Sequence, residues 1–152
     1  MVDQKQTTQK RRTGGMSKTL LRLFIRGHVA LYRRTNGKIG GGEHMLILTT
    51  TGRKSGKPWS NGLFYFRDGE HFIVIAANAG APNDPAWWLN LKSNPHTNIQ
   101  VGSQIIPVVA SKAEGEERQR LWSIIAEKYK NFVGYQKRTT RELSVVILTP
   151  QA

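Results

Sequence analysis

The segment Thr49-Thr50-Thr51-Gly52-Arg53-Lys54-Ser55-Gly56 gathers two glycines, two cations and several hydroxyls within one short stretch. The glycines let the backbone bend and expose its N–H groups, Arg53 and Lys54 add charge, and Ser55 adds an O–H donor. That set suits a phosphate. A solvated basic hairpin has the same composition, and spacing alone leaves both readings open. The segment is not a P-loop, because the glycine spacing differs and a strand follows where that motif requires a helix. Next, Ala76-Ala77-Asn78-Ala79-Gly80-Ala81-Pro82 puts small residues at a strand end, where a flat ring can lie against backbone; an ordinary tight loop reads the same way. In Trp87-Trp88, adjacent helical side chains diverge by about 100°, so one ring faces the core and the other can wall a pocket. Tyr129, Phe132 and Tyr135 recur every three residues. Core packing explains such a stripe by default. The flanking Lys128, Lys130, Lys137 and Arg138 place it near the surface, where it can border a substrate pocket.

Other chemistries lack their residues. The chain has no cysteine, which excludes thiol nucleophiles, disulfides and Cys-based zinc sites. His28, His44, His71 and His96 have no metal-ligand spacing, so no metal is expected. The acids are sparse. Asp68 sits in a turn, Asp84 reads as a helix cap, and Glu114, Glu116 and Glu117 open a helix whose dipole favours them. With no acid–base dyad, an enzyme of this inventory draws its chemistry from a cofactor.

The formal net charge is +13, and ten of the 23 Lys and Arg residues fall in the first forty positions against one acid, Asp3. Nucleic acid, an anionic membrane surface and an anionic ligand are the partners such a charge suits. Nucleic acid is disfavoured, because no binding motif accompanies the charge and most of its excess lies in one arm. No apolar run approaches the roughly 18 residues of a membrane span.

These residues need elements to position them. Residues 1–15 read as a disordered basic arm. Residues 16–42 read as a basic amphipathic helix, Ser17 to Arg34 with Ser17 as N-cap, followed by a hinge at Gly40-Gly41-Gly42. Lys18, Arg22, Arg26 and Arg33 share one helical face. Leu20, Leu21, Phe24, Val29 and Leu31 fall largely elsewhere, free either to enter a membrane surface or to dock on the rest of the protein. Residues 43–152 read as the main domain. Strands are expected at 45–51, 60–66, 70–77, 97–101, 105–111 and 143–149, with hairpins at Asp68-Gly69 and Gly102-Ser103. Helices are expected from Asp84-Pro85 to Asn94 and over 114–129, where Leu121, Trp122, Ile125 and Tyr129 form the apolar side. Hairpins in place of repeated βαβ units imply an α+β, mainly antiparallel barrel flanked by helices.

Four stretches together resemble the deazaflavin-dependent nitroreductase family over residues 28–150. They are LILTTTGRKSG at 46–56, AANAGAPNDPAWWLNLKSNP at 76–95, the lead-in ALYRRTNGKIGGG at 30–42, and residues 116–150. The resemblance implies a split β-barrel of the flavin-binding type, use of the deazaflavin coenzyme F-420, and hydride transfer to quinones, nitroaromatics or similar electron-poor acceptors. It implies that Arg53, Lys54, Ser55 and Gly56 hold the cofactor phosphate, that Ala76, Ala77 and Asn78 line the ring through backbone contacts, and that Trp87 packs beside it. Tyr129, Phe132 and Tyr135 would border the substrate pocket, with Tyr135 and then Tyr129 as the catalytic candidates. The chain departs from the family pattern at Trp59 for arginine, Ala77 for serine and Phe132 for tyrosine. The expected location is cytoplasmic, with peripheral contact to the inner face of the plasma membrane as the finer expectation. Flavin mononucleotide on the same barrel is the alternative cofactor, and a non-catalytic cofactor- or lipid-binding protein is the alternative class.

Overall fold

The computed structural model describes residues 18–37 and 44–152, apart from the side chains of Lys18 and Leu21. The basic arm, the Ser17 cap, the glycine hinge and the Lys18 and Leu21 side chains therefore lie outside the described residues.

Helix α1 (Lys18–Arg34) comes first. It is followed by β1 (Met45–Thr51), β2 (Pro58–Phe64), β3 (Phe66–Asp68) and β4 (His71–Ala76). A 3-10 turn at Asn78–Gly80 leads to helix α2 (Ala86–Ser93). Strands β5 (His96–Val101) and β6 (Gln104–Lys112), helices α3 (Gly115–Lys128) and α4 (Lys130–Lys137), and strand β7 (Ser144–Pro150) complete the chain. The strands form one antiparallel sheet in the order β2-β1-β5-β6-β7-β4-β3. It curls until β2 and β4 approach each other across the opening, giving a half-barrel flanked by four helices.

Strand alternation explains why the sheet is buried on both sides. On β4, Phe72, Val74 and Ala76 join Leu46, Leu48, Trp88, Leu91, Ile99, Val146 and Leu148 in the inner core. The residues between them, Ile73 and Ile75, turn outward to Leu121 and Ile125 of α3 and Phe132 of α4. Buried apolar side chains of this size stabilise by about 1.5–3 kcal/mol each.

Four details differ from the reading of the sequence. The single strand expected at 60–66 is two, separated at Tyr65, whose N–H donates to the His44 carbonyl at 2.9 Å. The aromatic stripe, open between helix and loop in the sequence, is helical: α4 begins after a break at Tyr129 (φ −128°, ψ 63°). Asp84 does not cap α2. Pro85 holds that position, while Asp84 pairs with Lys92 at 3.2 Å and Arg141 at 3.0 Å. The fourth difference concerns α1. It docks by Ile25, Val29 and Tyr32 against Met45 and Ile47, and the Tyr32 hydroxyl donates to the Met45 carbonyl and accepts from the Gly102 N–H. Leu20, Leu23, Phe24 and Leu31 remain 43–68% exposed. The apolar residues that the sequence grouped together are thus divided, with Val29 docked and Leu20, Phe24 and Leu31 facing solvent. Among the described residues, no helix is long and apolar enough to cross a membrane.

Candidate functional site

A cleft of about 930 Å³ opens between α1, the β1–β2 turn and α2. The turn is shaped by backbone bonds. Gly52 N–H donates to the Lys57 carbonyl and Gly56 N–H to the Gly52 carbonyl, both at 2.8 Å, and Gly56 takes a positive φ of 69°. A side chain at position 52 would lie 2.6 Å from Ser55 Oγ and 3.0 Å from the Trp59 ring, so glycine is what allows this close turn. Ser55 Oγ accepts from the Lys57 N–H at 3.2 Å, a bond that does not use its own proton.

The lining of this cleft is one-signed. Arg53, Lys54 and Lys57 of the turn face Arg22, Arg26 and Arg33 of α1, and among the described residues no carboxylate lines the cleft. The spacing of the α1 arginines places all three on one face, and Leu20, Phe24 and Leu31 lie on the opposite side of the helix. The bonds recorded for these cations go to neutral partners. Arg53 Nη1 and its backbone N–H both donate to Asn90 Oδ1 at 3.1 Å. Arg33 Nη2 donates to Ser60 Oγ at 3.0 Å and Thr49 Oγ1 at 3.3 Å. The ion pairs among the described residues lie elsewhere: Asp84 with Lys92 and Arg141, Glu142 with Arg118, and Asp68 with Arg120. In the last pair the two guanidinium bonds, at 2.7 and 2.9 Å, hold the Asp68 carboxyl below the usual carboxylate range.

Trp87 closes the cleft on the α2 side, and its neighbour Trp88 turns into the barrel, with ring centroids 6.5 Å apart. Both rings are buried in the inner core, and Trp87 alone of the two also lines the cleft.

A second locus surrounds the loop after β4. Ala76 and Ala77 are buried, while Asn78 and Ala79 are exposed and hold left-handed backbone angles (φ 47° and 53°), a conformation that costs an alanine energy. Arg141 holds the loop in this shape. Its guanidinium donates to the carbonyls of Ala76 (3.1 Å), Ala77 (2.8 Å) and Ala81 (2.9 Å) and to Asp84. Gly80 lets α4 approach, because a side chain there would lie 2.5 Å from the Tyr135 carbonyl. Ala77 and Phe132 share one apolar cluster, with Tyr129 and Tyr135 packed against it. Tyr129 lies between Phe64 (4.9 Å between centroids) and Phe66 (5.3 Å), and Phe132 meets Tyr135 edge-on at 5.9 Å.

The residues singled out from sequence therefore fall into two groups. Arg53, Lys54, Ser55 and Trp87 line the cleft, and Trp59 lines it with them. Gly56 bends the same turn without lining the cleft. Ala76, Ala77 and Asn78 belong with Tyr129, Phe132 and Tyr135 around the second locus, and none of these six lines the cleft. The α2 segment joins the two, leading from the loop clamped by Arg141 to Trp87. Arg141 and Asn90 had no signal in the sequence, because each acts through partners more than 35 positions away.

The cleft fits a cofactor with an aromatic ring and an anionic arm. Its size is in the range of small-ligand sites, among the described residues no carboxylate satisfies its cations, and Trp87 offers an apolar wall. Residues 24–150 match the family model described as F420H(2)-dependent quinone reductase. An F420H(2)-dependent quinone reductase of Mycobacterium tuberculosis is 40% identical over 133 residues, covering 83% of this chain and 89% of the relative. Among solved structures, an F420-H2 dependent reductase (FDR-A) is 34% identical with a TM-score of 0.62, covering 68% of this chain and 92% of that one. A domain-swapped dimer is 30% identical with a TM-score of 0.66, covering 87% and 99%.

The clamp at Arg141 yields a prediction. Charge-assisted bonds contribute roughly 1.5–3 kcal/mol each and are not additive, so Arg141→Leu should destabilise the protein by at least about 2 kcal/mol. Amide exchange over residues 77–83 should accelerate ahead of the barrel strands. Exchange unchanged in that loop would show that the left-handed turn holds its shape without Arg141.

Proposed function

Because this chain belongs to the F420H(2)-dependent quinone reductase family, we propose that the cationic cleft is where it holds reduced coenzyme F-420, whose hydride it passes to a quinone. The observation that carries this assignment is that, among the described residues, six cations and no carboxylate line the cleft beside Trp87. The family match makes flavin mononucleotide and a non-catalytic binding role unnecessary.

The bound deazaflavin supplies a two-electron hydride donor, and the chain supplies position and charge. Arg53 and Lys54 take the phosphate by charge-assisted bonds, with the Ser55 hydroxyl as a further donor and Gly56 setting the turn. Trp87 packs along the cofactor, and the loop Ala76-Ala77-Asn78 meets the ring. The carbonyls of Ala76 and Ala77 are already engaged by Arg141, so their part is to present a fixed surface. Tyr129, held between Phe64 and Phe66, is a wall of the acceptor pocket, with Phe132 beside it. The Tyr135 hydroxyl meets the negative charge that develops on the acceptor oxygen and gives it a proton, which water restores. Holding the acceptor close to the donor carbon is the main catalytic contribution, since no ionised base is required. A nitroaromatic meets the same chemical demands as a quinone.

The exposed stripe of Leu20, Leu23, Phe24 and Leu31 supports a finer reading: peripheral attachment to the cytoplasmic face of an anionic membrane, where a quinone acceptor dissolves. With Arg22, Arg26 and Arg33 turned to the cleft, the apolar stripe provides the insertion, and the basic residues before α1 add electrostatic attraction of about 1 kcal/mol each.

Three outcomes are expected. Changing Arg53 and Lys54 together to alanine should weaken binding of oxidised F-420 at least about tenfold, which is 1.4 kcal/mol, with little change in melting temperature because both side chains are exposed. Unchanged affinity would take the phosphate away from this turn. Tyr135→Phe should lower turnover with quinone and leave cofactor affinity near wild type, and equal turnover would make Tyr135 a packing residue. In sedimentation with anionic vesicles, wild type should bind and release as salt rises. A Leu23→Ser, Phe24→Ser double variant should stay in solution yet still bind cofactor, and equal sedimentation of the two proteins would reject the anchor.

A further inference from the structure

Asn90 is a polar side chain that the interior should not hold without reason. It is 4% exposed, on α2, one turn after Trp87. Its Oδ1 accepts two bonds from one residue, Arg53, through the backbone N–H and through Nη1, both at 3.1 Å. Its Nδ2 donates to the hydroxyl of Thr50 at 3.1 Å, and Thr50 is itself only 2% exposed, at the end of β1. One amide thus ties helix α2, the end of β1 and a cation of the cleft.

We propose that Asn90 is a positioning residue for the cofactor phosphate, whose amide aims the Arg53 guanidinium into the cleft without cancelling its charge. The inference rests on the reading of the turn as the phosphate site. Two features of the geometry carry it. An arginine on a surface turn loses considerable side-chain entropy when it binds an anion. Fixing Nη1 and the backbone N–H beforehand removes part of that loss and leaves the remaining guanidinium donors free. The acceptor is also an amide. A carboxylate of the same shape would fix Arg53 equally well, but its charge would compete with the phosphate. Elsewhere in the protein, arginines with structural work are paired with carboxylates: Arg141 with Asp84, Arg118 with Glu142 and Arg120 with Asp68. At the cleft the partner is neutral. Asn90 and Trp87 both line the cleft from one helix, so the orientation of the arginine and the apolar wall are set by the same rigid element.

The test separates charge from shape. Asn90→Asp retains the acceptor that holds Arg53, and the Thr50 hydroxyl can turn to donate to it. Its melting temperature should stay close to wild type. Its Kd for oxidised F-420 should rise about tenfold or more, and KM for the reduced cofactor should rise with it while kcat at saturation holds. In an Arg53→Ala background the same substitution should change Kd by less than about twofold, because the charge it cancels is gone. Thr50→Val, which removes the hydroxyl that orients the amide, should also weaken binding only when Arg53 is present; it supplies the answer if the aspartate variant does not fold. If Arg53→Ala weakens binding but both Asn90→Asp and Thr50→Val bind as wild type, the positioning role is overturned while the phosphate site stands. If Arg53→Ala itself binds as wild type, the phosphate reading falls and the role of Asn90 falls with it. An affinity loss that merely follows the loss of melting temperature across the variants would reduce Asn90 to a structural residue.

Discussion

Six cationic side chains share one cleft, and like charges crowded together repel one another until an anion joins them. The rest of the site follows from how this repulsion is accommodated. None of the acids of the described residues lines the cleft, and three of them, Asp68, Asp84 and Glu142, serve structural pairs elsewhere. Arg33 and Arg53 in the cleft are aimed by neutral oxygens, those of Thr49, Ser60 and Asn90. Such bonds fix direction and leave the field intact, so the attraction left over is available to a phosphate-bearing cofactor. Helix α1 shares in this arrangement. Its three cleft-facing arginines complete the charged wall, and its apolar stripe is left on the far side.

The second locus solves the opposite problem. A loop proposed to meet a flat ring must offer its backbone and be unable to drift, and short side chains cannot pack it in place. Here a left-handed Asn78-Ala79 turn is held by one guanidinium that bonds three carbonyls, with Gly80 allowing α4 to close over it. The loop feeds directly into α2, which carries Trp87 and Asn90. Strain in the loop, the apolar wall and the aim of Arg53 are therefore set by one continuous stretch of chain. Hydride transfer demands this kind of fixity, because the barrier depends steeply on the approach of donor to acceptor.

Much of this was legible in the sequence, and the reasons for the rest are local. The hairpins at Asp68-Gly69 and Gly102-Ser103 were readable because their turn residues and flanking strand formers agree. The bend at Gly52–Gly56 was readable because glycine and charge mark it. The split between β2 and β3 was hidden, because Leu63 through Phe66 is an unbroken run of apolar strand formers and the break comes from a bond to His44. The break between α3 and α4 at Tyr129 has no proline or glycine to announce it. Asp84 before Pro85 has the form of a helix cap, and its capture by Arg141 is a tertiary choice 57 residues away. The same holds for Asn90, which reads as an ordinary polar position of a short helix. The shared face of Arg22, Arg26 and Arg33 on α1 was legible, but Val29 lies beside those arginines and not with Leu20, Phe24 and Leu31, and which side of the helix meets the barrel depends on the docking of Tyr32 and Val29, which no periodicity reveals.

The central claim is that the cleft recognises its cofactor through the anionic arm as well as the ring. The direct measurement is the affinity of the wild-type protein for oxidised F-420 and for the same deazaflavin lacking its phosphate-bearing chain, each titrated over a range of salt concentrations. The account predicts that F-420 binds at least about tenfold more tightly at low salt, on the order of one charge-assisted bond, and that the difference shrinks as salt rises while the phosphate-free ring binds weakly throughout. Equal affinity for the two compounds, unaffected by salt, would contradict it.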